Sequence, residues 1–249
     1  MSFCFSLFLL YTKIMPGSKP KISEAVSVAA HQLKTPISVL RGYLEALISG
    51  DPGEINEKQK EYLSDSLENV KRMTKIVSDI LDISRVEEGR YQIKIEKISL
   101  EKLTKEVIEG LALWAKAANA EISFVPGDSS FPLALSDSLR AREVIENLVS
   151  NALKFKGHGP GKIEINIKKQ KNHLLFSCKD NGIGIAKEDF KKVFSKFYRS
   201  EKALRLDPSG TGVGLYINKA VIFLSGGKIW FKKNNGPGMT FFFTLPIAK

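Results

Sequence analysis

The sequence lacks the features that hold small secreted proteins and zinc domains together. Among its 249 residues there are only two cysteines. Cys4 and Cys178 are far apart and outside any metal-ligand spacing, so neither a disulfide framework nor a zinc site is expected. This low cysteine content is compatible with a protein of the reducing cytoplasm. Apolar residues make up 43% of the chain, which is enough for packed cores, and the length predicts two modest domains.

The sequence also lacks a complete membrane span near its start. The apolar residues 1–15 are fewer than the roughly 20 that a transmembrane helix needs. A secretory signal is disfavoured because no basic flank precedes them. The stub of a longer membrane helix, an interfacial anchor and an artefact of the chain's start all stay open. We therefore expect a cytoplasmic protein for which residues 1–15 provide, at most, a tether to the inner face of the plasma membrane.

Basic residues exceed acidic ones, with 38 Lys and Arg against 27 Asp and Glu. This excess favours an anionic partner such as a nucleotide, a nucleic acid or a lipid surface. In the basic segment 162–205 the aromatic residues are not interleaved with the basic ones in the way that a base-stacking surface needs, so nucleic acid is not expected. A solvated basic face explains the segment equally well.

Residues 21–90 have helical periodicity. Apolar residues recur every three or four positions from Val26 to Leu47, and again from Ile55 to Leu81, with glycines and a proline between the two stretches. This pattern predicts two long helices in a hairpin. Because one hairpin cannot cover both apolar stripes, we expect a homodimer that forms a four-helix bundle. Residues 1–20 form a separate stub and linker.

Residues 91–249 alternate between short strands and helices, which predicts a second, mixed α/β domain. The fold class is therefore α+β. Strands are expected over 91–95, 120–125, 163–168, 174–178, 228–232 and 239–245, and helices over 100–118, 136–155 and 214–224.

His31 stands in the middle of the first helix, in the run HQLKTP. Pro36 follows one turn later, and proline inside a helix removes a hydrogen bond and bends the axis. A neutral imidazole is a competent nucleophile for phosphorus. The run is equally typical of a solvent-facing histidine beside a tolerated kink.

The helix over residues 136–155 carries three polar side chains on one face. Asn147, Asn151 and Lys154 are spaced by four and three residues, so they project together. Carboxamide oxygens suit a magnesium ion that is already charge-balanced by phosphates, and Lys154 suits the phosphates themselves. Taken alone, this motif is better explained by ordinary surface amides.

Two glycine-rich motifs follow. In DNGIGI, Asp180 offers an acceptor for an adenine amino group, and Gly182 and Gly184 allow close approach to a flat ring; an Asx turn is the alternative. In GTGVGL, the three glycines from Gly210 to Gly214 precede a helix and free its amides for phosphate. No lysine follows them, so the motif is not a Walker loop.

The order of these motifs resembles the H box, N box and glycine boxes of the sensor histidine kinases of two-component systems, over residues 24–247. The resemblance implies a dimeric phosphoacceptor hairpin followed by an α/β-sandwich ATP-binding domain of the GHKL (Bergerat) type. It also implies autophosphorylation of His31 by ATP with Mg²⁺, and transfer of the phosphoryl group to an aspartate in the receiver domain of a response regulator.

The same resemblance assigns the site residues. His31, Gln32 and Thr35 would form the catalytic set, and Asn147 would bind Mg²⁺. Phe194, Phe197 and Arg199 would belong to a mobile lid. The nucleotide would be bound by Asn147, Asn151, Lys154, Phe155, Asp180, Gly182, Gly184, Arg199, Gly210, Thr211, Gly212 and Gly214.

Gln32 departs from the family pattern, which usually places an acid directly after the histidine. An amide oxygen accepts a hydrogen bond from the ring but does not act as a base. We therefore expect slow autophosphorylation. Two alternatives stay open, a GHKL-type ATPase in which Glu143 activates water and a non-catalytic dimeric scaffold that binds nucleotide.

Overall fold

The structure, a computed structural model, describes residues 20–125 and 131–249, without the side chains of residues 20–27 and Val125. The described residues form two compact units, the first ending at Tyr91 and the second starting at Gln92. The predicted tether over residues 1–15 lies outside this range. None of the described helices is long and apolar enough to cross a membrane.

The first unit is a helical hairpin, as predicted. Helix α1 spans Pro20–Ser49 and helix α2 spans Glu57–Glu87. The chain turns at Gly50, whose φ of 85° suits glycine. Asn56 then caps α2, because its side chain accepts from the amide of Gln59 while the Gln59 side chain accepts from the amide of Asn56. This reciprocal capping box fixes the start of the second helix.

Apolar side chains from both helices fill the hairpin core. The buried members of this core are Ala30, Ile37, Val70, Val77 and Leu81. Pro36 lies inside α1 and has no N–H, so the carbonyl of Gln32 loses its usual helical donor. The helix nevertheless continues through this position to Ser49.

A second apolar row on α1 is left uncovered by the hairpin. Leu33, Leu40 and Leu47 recur every seven residues and are 51%, 51% and 36% exposed. A seven-residue spacing places them in one row along the helix, as in helices that pack against a partner. The hairpin alone therefore does not bury all of its apolar surface.

The second unit is an α/β sandwich, as predicted. Its strands are β1 (Glu96–Ile98), β2 (Ala120–Val125), β3 (Ala134–Ser136), β4 (Gly161–Gln170), β5 (His173–Asp180), β6 (Ile229–Lys233) and β7 (Met239–Pro246). Its α-helices are α3 (Leu100–Ala117), α4 (Ser138–Lys154), α5 (Glu201–Leu206) and α6 (Gly214–Leu224), and a 3-10 turn covers Lys187–Asp189.

The main sheet has the strand order β2-β4-β5-β7-β6, in which β2 runs parallel to β4 and the other neighbours are antiparallel. Strands β1 and β3 form a separate antiparallel pair. Alternate residues of β4, such as Ile163, Ile165 and Ile167, are buried, whereas Lys162 and Glu164 next to them are exposed. This alternation is that of a sheet with one face on a hydrophobic core. Helices α3, α4 and α6 pack against this sheet.

The prediction of a strand over residues 91–95 is wrong. The first strand of this unit is β1, which begins directly afterwards and spans Glu96–Ile98. Two amides in the predicted strand have other partners. Tyr91 donates to the carbonyl of Arg85 at 3.0 Å, and Lys94 donates to the side chain of Asp137 at 2.9 Å. Ladder pairing therefore starts only after these residues.

Net charge differs sharply between the two parts of the chain. Residues 92–249 contain 26 Lys and Arg against 15 Asp and Glu, whereas residues 1–91 contain 12 of each sign. The whole positive excess of the protein therefore belongs to the second unit.

Candidate functional site

His31 lies exposed on α1. Gln32 and Thr35 are also exposed, and Thr35 follows His31 by one helical turn, so these two side chains share a helix face. The buried residues Ala30 and Ile37 point towards α2 instead. The imidazole is therefore accessible to a reactant from solvent.

Asn147, in the middle of α4, is pressed against the first residue of α6. A Cβ built on Gly214 would lie 2.7 Å from both terminal atoms of the Asn147 amide. The Nδ2 of Asn147 is buried and has no hydrogen-bond partner among the described residues. A buried amide without a partner is costly, so this position is suited to a polar ligand.

Asn151 and Lys154 extend the same face of α4. The amide of Asn151 donates to the Oδ1 of Asn147 at 3.4 Å. The ammonium of Lys154 forms an ion pair of 3.2 Å with Asp207. The structure thus places the three predicted polar residues of α4 in one row, and it adds an acidic partner that sequence reasoning missed.

Phe155 caps the end of α4 and joins it to the first glycine motif. Its carbonyl accepts the amide of Ile183 at 2.9 Å. A Cβ on Gly182 would lie 2.3 Å from the same carbonyl oxygen. Only glycine therefore allows this close approach between the DNGIGI loop and α4.

Asp180 ends β5 with one carboxylate oxygen engaged and the other available. Its Oδ1 accepts the amides of Gly182 at 2.8 Å and Met239 at 3.2 Å, and Oδ2 accepts no hydrogen bond from any described residue. Burial raises the pKa of Asp180 even though these two amide bonds act in the opposite direction. A fixed carboxylate with one oxygen available suits recognition of a ligand N–H.

The loop between β6 and β7 supports Asp180. Sequence reasoning missed this supporting role of the loop. Asn234 donates to the carbonyl of Asp180 at 2.8 Å. Gly238 has a φ of 87°, and a Cβ there would lie 2.0 Å from that carbonyl oxygen. The run NNGPGM has the composition of a turn, but nothing in it indicates that the turn lies against Asp180.

Residues 181–213, between β5 and α6, form what we call the lid segment. Arg199 organises its second half by donating to backbone carbonyls: Gly210 at 2.8 Å, Ala203 at 3.0 Å, Pro208 at 3.4 Å, and Asp207. The guanidinium predicted to contact nucleotide is thus bonded to the lid segment itself.

Aromatic rings connect the first half of the lid segment to the sheet. Phe190 and Phe194 pack on Phe231 of β6, with ring centroids 5.1 Å and 5.9 Å apart. Phe197 is 59% exposed and has a φ of 60°, an uncommon conformation for a bulky residue. Of the two phenylalanines predicted in a lid, Phe194 is therefore an anchor and Phe197 faces solvent.

The glycine repeat leads directly into α6. Gly212 has a φ of 70°, and a Cβ there would lie 2.9 Å from the carbonyl oxygen of Tyr198. Gly210 and Thr211 precede it, and Val213, at the N-cap of α6, makes no side-chain capping hydrogen bond. The start of α6 therefore follows the glycine repeat directly, and the helix dipole favours an anion at this end.

These contacts connect the predicted nucleotide residues of the second unit. The end of α4 meets the DNGIGI loop through Phe155, the middle of α4 meets the GTGVGL motif through Asn147, and Lys154 meets the lid segment through Asp207. Gly184, with a φ of 68°, turns the chain beside this group. His31 belongs to the other unit.

Two known families match separate parts of the chain. Residues 21–89 match the His Kinase A (phospho-acceptor) domain, and residues 136–249 match the family described as histidine kinase-, DNA gyrase B-, and HSP90-like ATPase. The second match defines an ATP-binding domain. Because both domains follow each other in one chain, the protein belongs to the histidine kinases of two-component signalling.

Two curated sensor kinases are similar to this chain over most of its length. The sensor histidine kinase WalK of Bacillus subtilis is 34% identical over 229 residues, which are 91% of this chain and 37% of that protein. The sensor protein kinase WalK of Staphylococcus saprophyticus is 32% identical over 225 residues, 90% of this chain and 36% of its own. The chain therefore spans little more than a third of these relatives.

Solved structures share the fold. Full-length ShkA in complex with AMPPNP covers 91% of this chain with a TM-score of 0.74 and 24% identity, and the match spans 46% of ShkA. The nucleotide-free catalytic domain of the histidine kinase ThkA covers 63% of this chain, over its whole length, with a TM-score of 0.55 and 28% identity.

Proposed function

We propose that this chain transfers the γ-phosphate of ATP to His31 and then passes it to an aspartate of a response regulator. One observation supports it most. The same chain carries an exposed histidine on a hairpin and a second unit whose separate nucleotide motifs are in mutual contact. An ATPase needs only the second unit, whereas a phosphoacceptor kinase needs both.

In this proposal the second unit binds ATP through residues at both ends of the nucleotide. The Oδ2 of Asp180 accepts the adenine amino group, and Gly182 and Gly184 leave room for the ring beside Phe155. The phosphates are bound by the remaining predicted residues, which are Asn147, Asn151, Lys154, Arg199, Gly210, Thr211, Gly212 and Gly214. Amides at the start of α6 and the ammonium of Lys154 supply the positive charge that the phosphates need.

Magnesium fits the same site through Asn147. Its buried amide has an unpartnered terminal atom, and rotation of the amide by a half turn exchanges its oxygen and nitrogen. A neutral oxygen ligand suits Mg²⁺ when phosphates provide the negative charge. The ion would supply charge neutralisation for the phosphates.

The chemistry at His31 is a phosphoryl transfer to nitrogen. A ring nitrogen attacks the γ-phosphorus, the bond to the ADP oxygen breaks, and ADP leaves with the electron pair. The proton on the other ring nitrogen must then be lost. Because Gln32 accepts a hydrogen bond but no proton, water takes the proton at this exposed site, and the reaction is slower than with an acid at position 32.

Partners follow from the hairpin. The exposed row of Leu33, Leu40 and Leu47 is covered by a second copy of the chain in a four-helix bundle. Thr35, one turn from His31, faces the docked receiver domain of the regulator. A cytoplasmic location, with residues 1–15 as a membrane tether, completes the proposal.

Labelled ATP tests the proposal. Incubation of the chain with γ-labelled ATP and Mg²⁺ should give a protein-bound label that is labile in acid and stable in base. His31→Ala should abolish this label. His158→Ala is the matched control, because His158 is also exposed but lies in the second unit, and this variant should keep the label.

The same assay separates the alternatives. Free phosphate without labelled protein would support a GHKL-type ATPase that uses Glu143, although its carboxylate is paired with Arg140 at 2.9 Å. Bound nucleotide without label or hydrolysis would support a scaffold. Either result, or label that persists in His31→Ala, would refute the proposed kinase.

Gln32→Glu tests the role of the amide. General-base assistance contributes about 10²–10⁴-fold to proton-transfer steps, so we expect the labelling rate to rise by at least about tenfold. Thr35→Ala, on the same exposed stretch of α1, should not reproduce the gain. An unchanged rate in Gln32→Glu would mean that proton removal does not limit the reaction.

A further inference from the structure

The ammonium of Lys154, which the proposed function assigns to a phosphate, forms an ion pair with the carboxylate of Asp207. Lys154 is the last residue of α4, and Asp207 follows α5 in the lid segment. The Nζ of Lys154 lies 3.2 Å from the Oδ2 of Asp207, and the two side chains are 35% and 14% exposed. This pair connects the lid segment to the polar face of α4.

The carboxylate of Asp207 is held in place by its own loop. Its Oδ1 accepts the amide of Ser209 at 3.1 Å and also the Ser209 hydroxyl. Its backbone carbonyl accepts a hydrogen bond from Arg199. Gly210 leaves room for the carboxylate, since a Cβ there would lie 3.1 Å from Oδ2.

The charge of Asp207 is favoured at this position. Burial alone would raise the pKa of this carboxyl, but the hydrogen bond from the Ser209 hydroxyl and the charge of Lys154 outweigh burial and hold the pKa below its ordinary value. The loop thus presents a fixed anion to Lys154 at neutral pH. A phosphate oxygen would need the same ammonium.

We infer that Asp207 determines nucleotide affinity as an internal competitor. Its carboxylate holds Lys154 in the nucleotide-free protein and must release it before Lys154 binds a phosphate. The inference rests on the proposed nucleotide-binding role of Lys154. Breaking the pair subtracts from the binding free energy of every ligand that carries the phosphates, and it leaves the adenine end of the site unaffected.

Asp207→Asn tests whether the ion pair weakens binding of the phosphates without affecting binding of the adenine end. The substitution keeps a side-chain oxygen for the bonds from Ser209 but removes the charge that attracts Lys154. In the full chain, we expect the Kd values for ATP and ADP to fall by about three- to tenfold. The Kd for adenosine, which has no phosphate, should stay within about twofold and shows at the same time that the variant is folded.

Two further variants control the measurement. Glu201→Gln removes one negative charge from the same lid segment, at a residue with no ion pair in the part of the chain that the structure describes, and should change each Kd by less than about twofold. Adding Asp207→Asn to Lys154→Gln should give no gain in ATP affinity, because the competitor then has no target.

Isothermal titration with ATP, ADP and adenosine decides between the outcomes. ATP that binds Asp207→Asn no more tightly than wild type, or no more tightly than Glu201→Gln, overturns the inference and leaves the proposed nucleotide site intact. A gain that persists in the Lys154→Gln background also overturns it. Failure of every variant and of wild type to bind any of the three ligands overturns both the inference and the proposed function.

Discussion

Asn147 and Gly214 touch where α4 meets the start of α6, so closely that any side chain at position 214 would displace the Asn147 amide. A Cβ at Gly214 would lie 2.7 Å from the two terminal atoms of that amide. This distance is shorter than any stable carbon contact. The glycine is therefore needed for the position of a neighbouring side chain, in addition to its place in the glycine repeat.

Gly214→Ala tests this relationship. We expect the affinity for ATP to fall by tenfold or more, about 1.4 kcal/mol, because the methyl group displaces Asn147 from its proposed place beside the phosphates. Equilibrium titration with ATP gives the affinity. Gly110→Ala is the control, since a Cβ at Gly110 in α3 meets nothing within 4 Å, and alanine should stabilise that helix by about 0.5–1 kcal/mol. Equal ATP affinities in both variants would contradict the proposed role of Asn147.

Asp180→Asn tests recognition of the base. The amide keeps an oxygen for the bonds from Gly182 and Met239 but turns an NH₂ towards the proposed position of the adenine amino group. We expect the Kd for ATP to rise by about 10–100-fold.

Inosine triphosphate provides the matched ligand, because it carries a carbonyl in place of the amino group. Wild type should discriminate strongly against it, and Asp180→Asn should reduce or reverse the preference for ATP. A variant that loses ATP and inosine triphosphate affinity equally would indicate a general disruption of the site and no base recognition.

Regular elements with strong periodicity were predictable from the sequence. Helix α6 spans Gly214–Leu224 as predicted, and β2 spans Ala120–Val125 as predicted. The false strand over 91–95 shows the limit of periodicity. Its alternating residues fit a strand, but Asp137 accepts the amide of Lys94, and no local pattern reveals a bond across 43 positions.

Contacts between loops were not predictable for the same reason. The sequence gives Lys154 a polar helix face, but its pairing with Asp207 depends on how the lid segment folds back. Asn234 and Gly238 support Asp180 from a turn more than 50 residues later, since Asn234 is 54 positions away. Motifs predict which side chains carry the chemistry, whereas the supporting contacts come from tertiary structure.

Leu40→Glu tests the proposed dimer. A charge in the exposed leucine row opposes burial in a four-helix bundle, so the variant should be monomeric, or dimerise at least tenfold more weakly. Light scattering coupled to gel filtration gives the mass. Ser38→Glu places the same charge on another exposed face of α1 and should leave the oligomeric state unchanged. A Leu40→Glu protein of wild-type mass would refute this interface.

Asp137→Ala tests the N-cap of α4. Asp137 accepts the amides of Arg140 at 3.0 Å and Lys94 at 2.9 Å, and loss of an N-cap costs about 1 kcal/mol. Trp114 and Trp230 are the two tryptophans, and both lie in the second unit. Urea unfolding followed by tryptophan fluorescence therefore reports on that unit.

The cost of Asp137→Ala should also depend on pH. Burial raises the pKa of Asp137, but the two amide bonds and the charge of Arg140 outweigh it, so the pKa is lowered overall. A lowered pKa in the folded state stabilises the protein above the unfolded-state value, and this stabilisation is lost as pH falls through the folded-state value. The difference from wild type should therefore shrink in acid. Asp137→Asn keeps a hydrogen-bond acceptor at this position but does not titrate. A difference in stability between wild type and Asp137→Ala that stays the same at every pH would contradict the argument.

Cys178 should be inert in the folded protein. Its thiol is 1% exposed, and burial, followed by the charge of Asp180, raises its pKa, so little reactive thiolate is available. In a Cys4→Ser background, a thiol reagent should label Cys178 only after unfolding in urea. Ser177→Cys with Cys178→Ser places a thiol on the opposite sheet face and should label faster. Rapid labelling of native Cys178 would show that β5 opens readily.

The uneven distribution of charge has a kinetic consequence. The second unit carries the whole positive excess of the chain, while residues 1–91 are balanced. Such a field attracts polyanions over about one Debye length, roughly 10 Å at 0.1 M salt. Long-range attraction should therefore accelerate the association of ATP. The association rate should fall as ionic strength rises, so the salt concentration of the medium determines how quickly a site that has released its nucleotide binds the next one.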